Sequence, residues 1–241
     1  MNIWAGVVFD ADGTLLDSWP AHAQFLRDMS RAHDYKLTLP ETDNIKNWRK
    51  YAGNPMAKVL QNCGFAERAV LEILKRYEDE FAENYEVKPF EGIEEMIDSF
   101  EKAKIPVYIA SLNTERNVRR GLGRKLSKRF SAIYGLESIN KHNAQRNKAD
   151  LIFQEIVGFY GQGISPTQFC YVGDSESDYW AAYDSGTRFL GVSYGWDLRK
   201  GDETRIRKQG FVHPIMLASS PQEIADMLLK RDLKFQRPYK E

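Results

Sequence analysis

Residues 7–18 read Val-Val-Phe-Asp-Ala-Asp-Gly-Thr-Leu-Leu-Asp-Ser, an apolar strand that ends in two carboxylates one residue apart. Side chains alternate along a strand, but residues two apart can face one ligand once the strand breaks into a turn. Gly13 permits that sharp turn, and the Thr14 hydroxyl can hydrogen-bond back to hold it. The pattern therefore places Asp10 and Asp12 where a sheet meets solvent, which suits a cation and a nucleophile.

The composition is that of a globular chain without excess charge. Its 241 residues suffice for one large domain or for a domain with an insertion. The 34 basic and 34 acidic residues balance, so we expect no nucleic-acid partner and no membrane partner. The first strand is too short for a signal peptide or membrane anchor, which predicts a cytoplasmic protein. Cys63 and Cys170 are too few and too far apart for a disulfide framework, and we expect both to be reduced packing residues.

Four further apolar segments predict buried parallel strands, at residues 105–110, 132–134, 169–172 and 189–192. Amphipathic helical patterns lie between them, with apolar residues at 93, 96, 97 and 100 and at 151, 152, 156 and 159. This alternation predicts an α/β fold with a Rossmann-like, doubly wound parallel sheet. Residues 220–223, Ser-Pro-Gln-Glu, predict the capped start of a C-terminal helix.

The strand signal disappears between the first acidic turn and about Pro89, where helical patterns such as Val70, Ile73, Leu74, Tyr77 and Phe81 replace it. We therefore predict a core domain of residues 1–17 and 89–241 with an inserted α-helical domain of residues 18–88, called the cap segment below. Its two connections to the sheet are where hinges are expected.

Polar groups follow the strands at positions where ligand groups gather in such a sheet. Ser111 and Asn113 follow the second predicted strand, and their hydroxyl and side-chain amide suit phosphate oxygens. Lys148 opens the helix ahead of the fourth strand, where its cation can neutralise a phosphate and an attacking carboxylate. Lys141 and Arg146 lie nearby, so the residues alone leave this choice open.

A second strand that ends in acids is the segment Tyr171-Val172-Gly173-Asp174-Ser175-Glu176-Ser177-Asp178. A strand-to-helix turn capped by acids also occurs in purely structural settings. In a parallel sheet, however, two strands that both end in acids favour one shared site over an accidental occurrence of two acidic turns.

These segments resemble the motifs of the haloacid dehalogenase superfamily. Residues 7–18 are similar to its first motif, in which D-x-D-G-T-L marks the phosphatase branch. The segment 148–153 resembles the third motif, although Ala149 stands where proline usually follows the lysine. Asp174 and Asp178 match the fourth motif, G-D-x-x-x-D. Members with a mobile helical cap carry it between the first two motifs, which supports the predicted cap segment. Residues 191–196 and the closing helix also follow the family pattern, so the resemblance covers nearly the whole chain.

The resemblance implies a magnesium-dependent phosphatase that resembles the phosphoglycolate phosphatases and acts on a small phosphorylated metabolite. Asp10 would attack phosphorus, and Asp12 would protonate the leaving oxygen and then deprotonate water. The groups implied to hold the phosphate are Thr14, Ser111, Asn113 and Lys148, and the last three would also hold the transferring group during catalysis. The implied Mg²⁺ ligands are Asp10, Asp12 through its main-chain carbonyl, and Asp174, with Asp178 as a ligand or a support.

Other activities on this fold remain open. Asp12 argues against a haloalkanoate dehalogenase, which would not need a second acid, and a phosphonate-cleaving relative would also differ in the first motif. A sugar phosphomutase shares all the motifs, and His22 lies where those enzymes often carry a cap histidine; Met56, however, follows the cap glycine turn where mutases tend to place arginine. A non-catalytic phosphate-binding module is the remaining class.

The cap segment is expected to choose the substrate. Residues 47–54 join predicted cap helices, and Arg49 and Lys50 beside aromatic residues make this a candidate specificity loop, although a solvated surface turn fits equally well. The sequence leaves the substrate unnamed and allows a monomer or a homodimer.

Overall fold

The computed structural model describes residues 4–35, 39, 54–140, 148–158, 163–202 and 215–229. The strands there are β1 (Gly6–Phe9), β2 (Leu16–Asp17), β3 (Lys88–Pro89), β4 (Val107–Ala110), β5 (Ala132–Tyr134), β6 (Phe169–Gly173), β7 (Arg188–Val192) and β8 (Leu217–Ala218). Six of them form a parallel sheet in the order β5-β4-β1-β6-β7-β8. The predicted α/β fold with a parallel sheet is confirmed.

Helices connect these strands. They are α1 (Trp19–Ala32), α2 (Met56–Cys63), α3 (Glu67–Asn84), α4 (Ile93–Lys102), α5 (Glu115–Ser127), α6 (Leu136–Asn140), α7 (Lys148–Leu151), α8 (Glu176–Ser185) and α9 (Pro221–Leu229). A π-helix, Ile152–Val157, continues α7, and a short 3₁₀ turn, Pro166–Gln168, precedes β6. Because the strands are buried on both faces, they read as continuous apolar runs in the sequence.

The sheet is covered by a hydrophobic cluster on each face. Helices α4, α5 and α9 supply apolar residues to one cluster, in which Phe9 and Phe100 pack edge to face with ring centroids 6.0 Å apart. The π-helix and α8 cover the other face, around Phe169 and Tyr171. These layers hold the carboxyl ends of the central strands in fixed positions.

Helices α1, α2 and α3 form a separate hydrophobic cluster that includes Phe25, Leu60 and Phe81. The chain leaves the sheet through β2 and returns through β3, and these two strands pair antiparallel with Leu16 opposite Pro89. Trp196, from the part of the chain after the cap segment, also packs in the cluster of the cap helices. The division at residues 17/18 and 88/89 stays a prediction.

Several local details differ from the predicted elements. The strand predicted at 105–110 begins at Val107, since Pro106 has no N–H to donate to a neighbouring strand. The helix predicted around 151–159 is one α-turn followed by the π-helix, and Phe159 lies outside the described residues. Cys63 and Cys170 are both buried and form no disulfide, as expected. Within the described residues, no helix combines the length and apolar character needed to cross a membrane.

Candidate active site

The predicted site lies at the carboxyl edge of the sheet. Phe9 is paired with Ile109 on one side and Val172 on the other, so the residues after β1, β4 and β6 leave the sheet side by side. Asp10, Ser111 and Asp174 occupy these positions. Parallel pairing thus brings together side chains that are far apart in the sequence.

The first acidic turn is held by its backbone. The amides of Thr14, Leu15 and Leu16 all donate to the Ala11 carbonyl, and Gly13 adopts a φ of 81°. A Cβ at Gly13 would lie 2.5 Å from Asp174 Oδ2, so only glycine allows the two acidic turns to approach this closely.

The role predicted for the Thr14 side chain is wrong in one respect. Its hydroxyl is fully buried and finds no hydrogen-bond partner within the described part of the chain, so it does not hold the turn. The backbone hydrogen bonds to the Ala11 carbonyl hold the turn without the Thr14 side chain. Thr14 is also not among the residues that line the pocket, which gives no support to the predicted phosphate contact.

Lys148 lies between two of the predicted acids. Its Nζ donates to Asp10 Oδ1 at 2.5 Å and to Asp178 Oδ1 at 2.8 Å, and all three side chains are less than a tenth exposed. Burial alone would lower the pKa of Lys148, but the charges of Asp10 and Asp178 outweigh it and hold the pKa well above its usual value. The lysine is therefore a fixed cation beside Asp10. Lys141 and Arg146 lie outside the described residues.

Three buried carboxylates converge in this site. Oxygens of Asp10, Asp174 and Asp178 all lie within 4.8 Å of one another. Burial raises the pKa of Asp10 to about 7; the Lys148 charge opposes this rise, and the Asp178 charge adds to it. Burial, together with the charges of Asp178 and Asp10, also holds the pKa of Asp174 well above its usual range. Asp10 and Asp174 therefore hold a proton more readily than exposed carboxylates do, unless a further cation enters the cluster.

Asp174 and Asp178 have different surroundings. Asp174 accepts a hydrogen bond from the Trp196 backbone N–H at 2.5 Å. Both Asp178 oxygens are taken by protein donors: Lys148 and the Tyr171 hydroxyl contact Oδ1, while the backbone and side chain of Ser175 contact Oδ2. Asp178 therefore has the contacts of a supporting residue.

Asp12 is held apart from the other acids. Its Oδ1 accepts from the Ser18 hydroxyl at 2.5 Å, and its Oδ2 accepts from the side-chain amide of Asn113 at 2.9 Å. The side chain of Asn113 therefore contacts the second acid, whereas the sequence predicted a contact to phosphate. Ser111 is buried at the pocket wall, and its hydroxyl accepts from the Asn113 backbone N–H at 3.1 Å.

These groups line one pocket between the sheet edge and the cap helices, with about 630 Å³ of empty space including its open mouth. The residues on its walls are Asp10, Asp12, Ser111, Leu112, Asn113, Lys148, Asp174 and Trp196 from the core chain, and His22, Asn54, Met56, Val59 and Tyr77 from the cap segment. His22 is buried, and its Nε2 lies 2.9 Å from the Tyr77 hydroxyl. Arg49 and Lys50 lie outside the described residues.

Sequence reasoning missed Ser18, Tyr77, Tyr171 and Trp196 as members of the site. Ser18 closes the quoted first motif and was readable as a donor, but Tyr77 and Tyr171 occupy positions where the pattern predicts only apolar packing. Their hydroxyls reach Asn113 and Asp178, contacts that depend on the tertiary fold.

Comparisons with known proteins show the family of the chain. Residues 7–192 match the family described as haloacid dehalogenase-like hydrolase. The chain belongs to this family. Curated relatives of the chain are named as phosphatases, and the prediction of a phosphatase is confirmed at this level.

Two relatives and one solved structure illustrate the match. The chain is 28% identical over 221 residues to a phosphoglycolate phosphatase of Xanthomonas campestris pv. campestris, covering 88% of this chain and 92% of the relative. It is 26% identical over 202 residues to an N-acetylmuramic acid 6-phosphate phosphatase of Pseudomonas aeruginosa, covering 79% and 82%. The crystal structure of a predicted phosphatase from Clostridium acetobutylicum shares the fold, with a TM-score of 0.73, 22% identity and coverage of 94% and 98%.

Proposed function

We propose that this chain is a magnesium-dependent phosphomonoester hydrolase that works through an aspartyl-phosphate on Asp10. The observation that carries the proposal is the setting of Asp10, a buried carboxylate that contacts Lys148 and faces Asp174. A second carboxylate, Asp12, is held separately two residues further on. One acid is thus placed to attack and another to move protons.

The residues present fit a magnesium ion. Three buried carboxylates lie within 4.8 Å of one another, and two of them, Asp10 and Asp178, contact Lys148. Burial, together with the neighbouring acidic charges, raises the pKa values of Asp10 and Asp174. Mg²⁺ prefers oxygen ligands and would relieve this repulsion. Asp10, Asp174 and the main-chain carbonyl of Asp12 would hold the ion, and Asp178 would support it. When bound, the ion would offset the charge of the phosphate and of the attacking carboxylate.

In the first half of the reaction, an Asp10 oxygen forms a bond to phosphorus while the bond between phosphorus and the leaving oxygen breaks. Asp12 gives its proton to the leaving oxygen, so an alcohol departs. Lys148 favours the carboxylate form of Asp10 and would cancel charge on the transferring group. Ser111 would donate to a phosphate oxygen from the pocket wall. Asn113 could contribute as well, because its amide nitrogen carries a second hydrogen besides the one directed at Asp12.

In the second half, water attacks phosphorus and the bond between phosphorus and Asp10 breaks. Asp12, now a carboxylate, takes a proton from the water. Inorganic phosphate leaves, and Asp10 and Asp12 return to their starting protonation states. Burial of the site keeps other nucleophiles away from the aspartyl-phosphate.

The names of the relatives support a small phosphorylated metabolite as substrate, with phosphoglycolate as the first candidate. We propose that residues 18–88 form a cap that selects the leaving group, since His22, Met56, Val59 and Tyr77 face the pocket from that side. We further propose that the enzyme acts in the cytoplasm, as a monomer or homodimer, without a nucleic-acid or membrane partner.

A phosphate-release screen tests the proposal. The purified chain is assayed on phosphoglycolate, sugar phosphates, nucleotides and pyrophosphate, with magnesium and with excess chelator, beside Asp10→Asn as the matched control. We expect release from at least one small phosphomonoester that requires magnesium and is lost in the variant. Conversion of a sugar phosphate to its isomer without net phosphate release would instead indicate a phosphomutase, and no reaction with any substrate would indicate a binding module.

A further inference from the structure

A tyrosine of the cap segment is tied to the second acid of the site through one asparagine. Tyr77 lies on α3, and its hydroxyl donates to Asn113 Oδ1 at 2.9 Å. The amide nitrogen of the same asparagine donates to Asp12 Oδ2 at 2.9 Å. Both Tyr77 and Asn113 are buried. A continuous hydrogen-bonded chain therefore runs from the cap helix to Asp12.

The orientation of Asn113 is set by its oxygen. Besides the Tyr77 hydroxyl, Oδ1 accepts from the Thr114 backbone N–H at 2.8 Å and from the Asn117 side-chain amide at 2.9 Å. Turning the amide over would place its NH₂ group against the Thr114 backbone N–H, which can only donate, and this is unfavourable in a buried site. The NH₂ group must therefore face Asp12. Two of the three donors belong to the core chain, and Tyr77 alone among them belongs to the cap segment.

Tyr77 is itself held in one position. A phenol carries one hydrogen, and because Tyr77 directs it to Asn113, the hydroxyl can only accept from His22 Nε2, 2.9 Å away. Burial lowers the pKa of His22, which fits a neutral ring with its hydrogen on Nε2. The Tyr77 ring also packs against Phe25 and Phe81, with centroids 5.4 Å and 4.7 Å away. The hydroxyl thus has a defined place only when α1 and α3 are packed over the site.

We propose that Tyr77 is a positioning residue that acts through Asn113 to align the Asp12 carboxylate for proton transfer when the cap helices are packed on the core. This inference rests on the proposed function, in which Asp12 is the acid and base. Tyr77 touches neither the reacting oxygen nor Asp12 directly. Its effect should therefore be confined to the steps in which Asp12 moves a proton.

The test compares leaving groups. An alkyl phosphate needs a proton on its departing oxygen, whereas p-nitrophenyl phosphate leaves readily without one. Tyr77→Phe keeps the ring and removes the hydroxyl. We expect kcat for the best alkyl phosphate of the release screen to fall about tenfold, which is less than the rate loss expected when a general acid is removed altogether. Phosphorylation of Asp10 by p-nitrophenyl phosphate, followed as the burst of p-nitrophenolate, should change less than about threefold.

Tyr85→Phe is the matched control. Tyr85 also belongs to the cap segment and packs against Phe81, but its hydroxyl donates to Asp28 at 3.0 Å, away from the pocket. The control should leave both rates unchanged. In an Asp12→Asn background, Tyr77→Phe should add no further loss, because the step that it aligns has already been removed.

Equal loss with both phosphate esters, a change in KM alone, or unchanged rates in Tyr77→Phe would overturn the inference. If Asp12→Asn itself shows no dependence on the leaving group, the acid and base assignment fails, and the role of Tyr77 fails with it. If Tyr77→Phe does not fold, the paired variant His22→Phe with Tyr77→Phe takes its place, because removing both buried polar partners avoids an unpaired donor. The same difference between leaving groups is then expected, and its absence would count against Tyr77.

Discussion

Replacing Lys148 by methionine should destabilise the metal-free protein strongly, because the lysine is the buried cation that contacts the acids of the site. Its Nζ lies 2.5 Å from Asp10 Oδ1 and 2.8 Å from Asp178 Oδ1. With an effective dielectric constant of about 20, each contact corresponds to roughly 6 kcal/mol of attraction. Methionine also removes the cost of burying the ammonium group, which is several kcal/mol. The expected net loss of unfolding free energy is about 3–5 kcal/mol.

The assay is urea unfolding in chelator at pH 8 and at pH 5.5. The loss should be largest at pH 8. At pH 5.5 it should shrink, because the acids can take up a proton when the lysine no longer compensates their charge. The sign follows from the pKa of Asp10, which is raised to about 7 in the folded protein: stability from the protonated acid is present at low pH and disappears as the pH rises through that value. Saturating magnesium should restore part of the stability at pH 8.

Two further variants make this prediction specific. Lys125→Met changes an exposed lysine on α5 and should alter the unfolding free energy by less than about 0.5 kcal/mol. Adding Asp10→Asn to Lys148→Met should recover at least about 1 kcal/mol at pH 8, since it removes one of the uncompensated charges. A Lys148→Met protein as stable as the wild type at pH 8, or a double variant that only adds the two losses, would refute the reasoning.

Three other substitutions separate the parts of the site. Asp12→Asn should slow steady-state hydrolysis of alkyl phosphates by about 10²–10⁴ and let aspartyl-phosphate accumulate in quenched-flow measurements; unchanged turnover would contradict its role. Asp174→Ala should raise the magnesium concentration for half-maximal activity at least about tenfold in a metal titration, and an unchanged value would remove it from the metal site. Gly195→Ala places a Cβ 2.3 Å from the Gly13 carbonyl oxygen and from Asp174 Cβ. The unfolding free energy should therefore fall by about 1–3 kcal/mol, and activity should be lost. A melting temperature equal to that of the wild type would show that the loop accommodates the added methyl group.

Asp10 and Asp174 could be predicted from the sequence because each directly follows an apolar strand. Once the strands are parallel and adjacent, Asp10 and Asp174 must leave the sheet at the same edge. Lys148 could be predicted from its position in the sequence together with the family resemblance. Its contacts with Asp10 and Asp178 could be seen only in the folded structure. Local signals thus sufficed for groups attached to strand ends.

Contacts between distant segments could not be predicted in this way. Tyr77 fits the apolar stripe of an amphipathic helix, and nothing in that periodicity indicates that its hydroxyl meets Asn113, 36 residues later. Asn113 has the right chemistry for phosphate, yet its neighbours turn the amide toward Asp12.

Local capping was only half predicted at the C-terminal helix. Ser220 caps α9 by accepting from the Glu223 backbone N–H at 3.2 Å, as the pattern predicts. The Glu223 carboxylate, however, accepts from Ser219 and so does not complete the box with Ser220. Neighbouring serines offer competing donors, and the sequence pattern does not rank them.

The most direct test of the account is to identify the residue that becomes phosphorylated during turnover. Wild-type protein and Asp12→Asn are quenched in acid while they hydrolyse a substrate found in the release screen, then digested and analysed by mass spectrometry, with Asp10→Asn as control. The account predicts one phosphoryl group on Asp10, more of it in Asp12→Asn, and none in Asp10→Asn. Phosphate on another residue, or full turnover by Asp10→Asn without deamidation, would contradict it.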